Sequence, residues 1–446
     1  MTGETRVAQT PVAQTRIAQT LAEKIISRAS GKPSVTPGEI VTCRVDLAMM
    51  HDSGGPRRVA PILERLGAKV WNTDRVVVVT DHYVPAVDAE SAAILDLTRK
   101  WVKANGVSRF HDMQGICHVV LQEKGHLSPG MFVVGGDSHS PSGGAVGCFM
   151  FGVGATDMAG VLVTGETWIR VPGTIQIRWS GELSPGVSAK DMMLAACARL
   201  GMGGGDYQVV EYTGETISAL PMPERLTLCN MAAELGAQTG LIAADQKTAA
   251  YVKAAGGDPG KVLPWPDDAL CGDADANYLA IHDFNASELA PQVAAPHSPA
   301  NSSAVDKHAG QQVHQAYIGA CTGAKLEDLQ MAARVLKGRK VADNIRLLIA
   351  PASTRTTADA AADGTLATLT AAGAILMPSG CGACAGYGAG VLSENEICIA
   401  STARNFKGRM GPGNSDVYLA SPYTVAATAV AGHIADPREM LDGGKL

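Results

Sequence analysis

The chain has 446 residues, more than one typical domain, and its 46% hydrophobic and 18% charged content excludes a disordered chain and leaves room for several cores. A formal net charge of −6 supplies no basic footprint for nucleic acid. The 50 glycines beside only 4% aromatics suit an α/β protein with many strand-to-helix turns that bring backbone close to a ligand.

Residues 1–19 repeat Arg-Val-Ala-Gln-Thr-like units without an apolar segment, and read as a flexible extension rather than a secretory signal. Thr20 with Glu23 three residues on predicts a capped helix start. From there short β-branched runs alternate with helical stretches, the pattern of parallel α/β layers. The run 76–79 ends in Thr80-Asp81-His82, and the run 131–134 ends in Gly135-Gly136-Asp137-Ser138-His139. A soft boundary falls at Val171-Pro172-Gly173, and a second at 288–310, rich in Pro, Ala, Ser and Asn, reads as a linker. The run 317–320 ends in Cys321 ahead of a helix from Lys325. The run 374–377 leads to Cys381-Gly-Ala-Cys384, and 397–400 leads to Ser401-Thr402-Ala403-Arg404-Asn405. The expected division is a first α/β domain at 20–172, a second at 173–287, the linker, and a third at 311–446. Ligands of open α/β sheets bind at the carboxyl ends of strands, so these tips predict one site gathered from several domains.

Of the ten cysteines, about seven read as buried reduced thiols acting as small hydrophobes. The long chain, the missing signal segment and the apolar setting of these thiols point to the cytoplasm, and no run of about 18 apolar residues predicts a membrane span. Cys381-Gly-Ala-Cys384 is by itself a redox pair, half a zinc site or a cluster motif. With Cys321 it makes three strand-tip thiols, too few for a closed zinc site. Three thiols suit a cubane cluster with one open iron able to act as a Lewis acid, while purely structural cysteines remain the alternative. Asp81-His82, Asp137-Ser138-His139 and the neighbouring His118 pair carboxylates with imidazoles, the combination that holds an acid near neutral pH. Arg404 and Arg409 flank a glycine and suit a bidentate grip on carboxylates, with Arg355 a weaker candidate. Gly152-Val-Gly154 lacks the rest of a dinucleotide fingerprint, and no phosphate-binding loop, nucleophile elbow or H-E-x-x-H motif occurs.

Gly-Asp137-Ser-His139-Ser-Pro-Ser-Gly-Gly, Cys321-Thr-Gly-Ala-Lys-Leu-Glu-Asp-Leu, Gly-Cys381-Gly-Ala-Cys384 and Arg404-Asn-Phe-Lys-Gly-Arg409, in that order, resemble the aconitase superfamily. Within it they are most similar to the large subunits of isopropylmalate dehydratase and homoaconitase, from about Thr20 onward. The resemblance implies three α/β domains around a [4Fe–4S] cluster held by Cys321, Cys381 and Cys384. It implies proton handling by Asp81, His82, His118, Asp137 and His139, with Glu234 and Asn230 near the open iron. His51, Ser138, Arg404 and Arg409 are implied as substrate contacts. The reaction implied is dehydration or isomerisation of a small 2-hydroxy di- or tricarboxylate. A separate small subunit is expected to carry the swivelling domain and its catalytic base, so this chain alone is expected to be inactive. Two departures stand out: Gly323 and Ala403 occupy positions where the family usually carries Asn, which points to a specialised paralogue. A regulatory RNA-binding role for a cluster-free form is the alternative from another class, and the acidic charge disfavours it.

Overall fold

Thr20 starts the helix Leu21–Ser30 by a reciprocal cap: its hydroxyl accepts from the Glu23 amide, and the Glu23 carboxylate accepts from the Thr20 amide at 2.8 Å. The structure is a computed structural model that describes residues 17–262 and 270–441. Most of the predicted N-terminal extension lies outside the described residues. Its last residue is anchored: the Gln19 amide donates to Asp273, and its side-chain oxygen accepts from Ser27.

Among the described residues there are four sheets: a two-stranded antiparallel pair, Ile40–Arg44 with Glu166–Arg170, and three larger ones that organise the chain. The first is five-stranded and parallel, in the order Arg109–Asp112, Val76–Thr80, Leu47–His51, Phe132–Gly135, Phe149–Gly152. Val76–Thr80 is buried along its whole length, as four consecutive valines require in a strand covered on both faces. The second sheet is four-stranded and parallel, in the order Thr239–Leu241, Val209–Thr213, Thr174–Ser180, Ala280–Asn285, and packs around Trp179 and Tyr212. In the third, seven-stranded sheet, Asp416–Ala420, Ile397–Ala400, Gln315–Ile318, Arg346–Ile349 and Ile375–Leu376 run parallel. Gln292–Ala294 and Ser302–Ala304 extend this sheet antiparallel at one edge, so the stretch 288–310 adds strands to a sheet as it passes between layers. Among the described residues no helix is long and apolar enough to cross a membrane.

Strand order sets where ligands go. In the first sheet the order reverses between Leu47–His51 and Phe132–Gly135; in the third it reverses between Gln315–Ile318 and Ile397–Ala400. At such reversals the crossover helices leave on opposite faces and open a crevice beyond the strand ends. The two sheets meet there. The Ile116 amide donates to the Ala352 carbonyl at 2.9 Å, and the Cys381 amide donates to the Asp81 carbonyl at 2.8 Å. Gly115 makes the first contact possible: its φ is +130°, and a Cβ there would lie 2.5 Å from the Ser353 Cα.

Candidate active site

The two crevices line one small cavity, about 40 Å3 in volume, bordered by Cys321, Cys381 and Cys384 together with His82, His118 and His139. Cys321 follows Gln315–Ile318 at the reversal in the third sheet, and the Cys381–Cys384 pair sits on the short turn Gly382–Ala385 after the edge strand Ile375–Leu376. None of the three is in a disulfide. Burial pushes the Cys321 thiol up to about 12 and moves Cys381 in the same direction, so as bare thiols both would stay protonated and inert.

The surroundings of these sulfurs fit a metal–sulfur group. Asn230 Nδ2 donates to Cys321 Sγ at 3.2 Å. Arg409 lies beside Cys384; burial opposes its charge, but the sulfur outweighs that and raises its pKa. Its Nε is buried without a hydrogen-bond partner, and the residue lines the cavity. Donors aimed at thiolate and sulfide are the means by which a protein stabilises and tunes such clusters. A four-ligand zinc site fits less well. The imidazole nearest Cys381 is His82, 3.9 Å away through Nδ1, and that nitrogen is held by Asp81 at 2.7 Å.

Beside the thiols runs a chain of carboxylate–imidazole pairs. Asp81 binds His82 Nδ1 with one oxygen and accepts the Cys117 amide at 2.7 Å with the other. Burial would raise Asp81, but the His82 cation and hydrogen bond outweigh it and hold it at about 2. Burial opposes the His82 cation, yet the Cys381 sulfur, once ionised as a ligand, and the Asp81 carboxylate push its pKa well above the usual imidazole value. Asp137 accepts from His118 Nε2 at 2.8 Å and from the His139 amide at 2.7 Å; these bonds overcome burial and keep it well below the usual carboxylate range. His139 Nε2 reaches Glu234 at 3.1 Å; burial favours a neutral Glu234, but His139 and Arg404 lower its pKa. His51 lies at the end of its strand, bonds the Gly136 carbonyl through Nε2 at 2.8 Å and stacks on His82 at 4.2 Å between centroids. Burial first, and the His82 charge second, lower its pKa.

Arg404 lies beside this cavity, in an open pocket that shares Asp137 with it. Its Nε donates to Glu234 at 2.6 Å and its Nη1 to Ser138 Oγ at 2.8 Å, so these residues form one polar edge. Arg409 lines the cavity itself, beside the Cys384 sulfur. Arg355 is elsewhere: it donates to the Glu123 carbonyl and pairs with Asp359 on an exposed helix.

Both departures from the family motif lie at this site. A Cβ on Gly323 would stand 2.3 Å from Ser401 Cβ and Oγ, so a glycine is what the Ser401 side chain admits. The Ser401 hydroxyl accepts from the Gly319 amide at 3.0 Å and lies 3.1 Å from the Gly323 carbonyl, tying the two strand tips together. Ala403 lines the cavity.

Sequence reasoning missed Asp52 and Lys190. Asp52 is fully buried and accepts the amides of Asp81, His82 and Tyr83 at 3.3, 3.1 and 2.9 Å, shaping the turn that presents the first acid–imidazole pair. The strand-tip signal that singled out Asp81-His82 applies equally to His51-Asp52. Lys190 lies in the first turn of a helix in the second layer and meets Thr322, 132 positions away, which no local pattern announces.

The model of the aconitase family (aconitate hydratase) matches residues 23–312 and 304–432. The 3-isopropylmalate dehydratase large subunit 1 of Methanopyrus kandleri is 44% identical over 422 residues, 94% of this chain and 99% of that protein. A probable methanogen homoaconitase large subunit from Methanothermobacter thermautotrophicus is 42% identical, covering 95% of this chain and 99% of its own length. The 3-isopropylmalate dehydratase large subunit of Herpetosiphon aurantiacus is 43% identical over 94% and 97% of the two chains. With matches covering nearly its whole length, the chain belongs to the aconitase family and is a hydro-lyase of that family.

Proposed function

We propose that this chain is the large subunit of a two-subunit [4Fe–4S] hydro-lyase that dehydrates or isomerises a small 2-hydroxy di- or tricarboxylate of the 3-isopropylmalate type. The observation that carries the reading is the convergence of three unbridged thiols with the acid–imidazole chain at one cavity. Cys321, Cys381 and Cys384 would hold the cluster, which when bound supplies Lewis acidity toward the substrate's hydroxyl and carboxylate.

The remaining work falls to the chain's own residues. His82, fixed by Asp81 through Nδ1, turns Nε2 toward the Asp137 carboxylate 3.9 Å away, and with His118 keeps a proton at the cavity wall for a leaving hydroxyl. Glu234 and His139 set the position of Arg404, which with Ser138 grips a carboxylate in the pocket beside the cavity. His51 orders the His82 ring by stacking and borders the substrate. Asn230 and Arg409 stabilise the sulfur ligands. The division into domains at 20–172, 173–287 and 311–446 assigns the proton-handling tips to the first unit and the thiols to the third.

The relatives are named large subunits, and this supports a small-subunit partner carrying the swivelling domain and the base that removes the α-proton. A reducing cytoplasm is the setting proposed, since all cysteines among the described residues are free. Dimethylmalate, citramalate and homocitrate are the substrate alternatives, and the cavity lining at Ala403 is where a different side chain would fit. The test is co-expression with a small subunit, anaerobic reconstitution, and assay on 3-isopropylmalate, homocitrate, citramalate, dimethylmalate and citrate. Turnover of 3-isopropylmalate well above the others is expected. Turnover of none of them by an iron-loaded complex would contradict the reading.

A further inference from the structure

Lys190 is among the largest fully enclosed side chains of the protein, only 2% exposed. It belongs to the helix Ala189–Leu200 of the second layer, yet its ammonium crosses into the third. There it donates to the Thr402 carbonyl, to the Ser401 carbonyl at 3.2 Å and to Thr322 Oγ1 at 3.4 Å. Three acceptors meet three N–H donors, so the ammonium is fully engaged in one orientation. The acceptors come from the two loops that meet at the reversal of strand order. Thr322 follows Cys321 directly, and Ser401-Thr402 leads into Ala403 and Arg404. Thr322 itself donates to the Ser401 carbonyl at 3.0 Å, closing the bracket.

The charge of this group is uncompensated locally. Among the described residues Lys190 forms no ion pair with a carboxylate, while the nearby Lys325 has its own partner in Asp328 at 2.6 Å. A buried cation without a counter-charge is costly. Burial pulls the Lys190 pKa down to about 8; Glu234, and Cys321 and Cys384 when ionised as ligands, act in the opposite direction, and Glu234 is already paired with His139 and Arg404. What remains is the thiolate set.

We infer that Lys190 is a positioning residue and the buried counter-charge of the thiolate-held cluster: it locks the Cys321 loop to the Arg404 loop and favours the more reduced, more negative state of the group. The inference rests on the cluster reading above. A fixed positive charge near a redox group makes an added electron more favourable, so its removal shifts the midpoint potential to more negative values.

The test uses the anaerobically purified two-subunit holoenzyme with Lys190→Met, Lys190→Gln and Lys190→Arg. Iron and sulfide content and EPR-monitored redox titration are the readouts. Lys190→Met and Lys190→Gln are expected to retain the cluster with a more negative midpoint, and to lose iron several-fold faster in air. Lys190→Arg is expected to stay near the parent. A parent without iron and sulfide would refute the cluster reading itself. A cluster-bearing parent whose midpoint is matched by both neutral variants would overturn only the role of Lys190, and so would an Arg variant displaced as far as the neutral ones. Should the Met variant fail to fold, the Gln and Arg comparison decides; failure of both neutral variants makes Lys190 a residue of the core and overturns the charge assignment.

Discussion

Gly323 and Ser401 share one volume, and neither choice can be understood alone. The Ser401 side chain fills the space a larger residue at 323 would need, and its hydroxyl binds the turns on both sides. Gly323→Ala is therefore expected to cost about 2 kcal/mol by overpacking, read as a lowered denaturation midpoint. Ser401→Gly in the same chain should recover only part of the loss, because the Ser401 carbonyl also stands 2.6 Å from the new Cβ. Arg404 presents a different residue-scale case. Its guanidinium binds Glu234 and Ser138 along one edge, a geometry an ammonium cannot reproduce. Arg404→Lys should raise KM about tenfold or more, a loss of about 1.4 kcal/mol, while the fold is kept. An unchanged KM would remove Arg404 from the carboxylate grip.

At the scale of elements, the strand tips were the legible part of the site. Asp81-His82, Asp137-Ser138-His139 and Cys321 follow buried strands, the Cys381–Cys384 pair follows the exposed edge strand Ile375–Leu376, and the structure brings members of each to one cavity. The strands Gln292–Ala294 and Ser302–Ala304 were illegible because each is only three residues long, too short for alternation to register. Asp52 hid behind the stronger His51 signal, and Lys190 behind sequence distance. The helix that carries Lys190 has its own pH dependence. Glu224, on the neighbouring helix Met222–Asn230, accepts the Ala189 amide at 3.0 Å, and burial pushes its pKa up to about 7. A carboxyl raised in the folded state binds its proton more tightly than in the unfolded chain. Its stabilising contribution is complete below about pH 4.3 and is lost as pH rises through about 7. Glu224→Gln should remove that loss. The stability difference between parent and variant should change by up to about 3 kcal/mol between pH 4.5 and 8, measured by denaturant titration across pH. A difference independent of pH would contradict the assignment.

For the whole molecule, the site exists only because separate layers meet. The first sheet supplies acid–imidazole pairs, the third supplies thiols and arginines, and the second sends in Asn230, Glu234 and Lys190. No single layer holds a complete set. The fold class was readable from alternating strands and helices, whereas the packing of one crevice against the other depends on contacts such as Gly115 on Ser353 that no periodicity encodes. The central claim, a cluster held by three cysteines, is tested most directly by iron and sulfide analysis of the anaerobically purified complex and of its Cys381→Ser variant. The account predicts a brown parent with about four iron and four sulfide per large subunit, and a variant depleted in both and without turnover. A colourless parent that turns over substrate, or a Cys381→Ser protein with a normal iron load and activity, would contradict it.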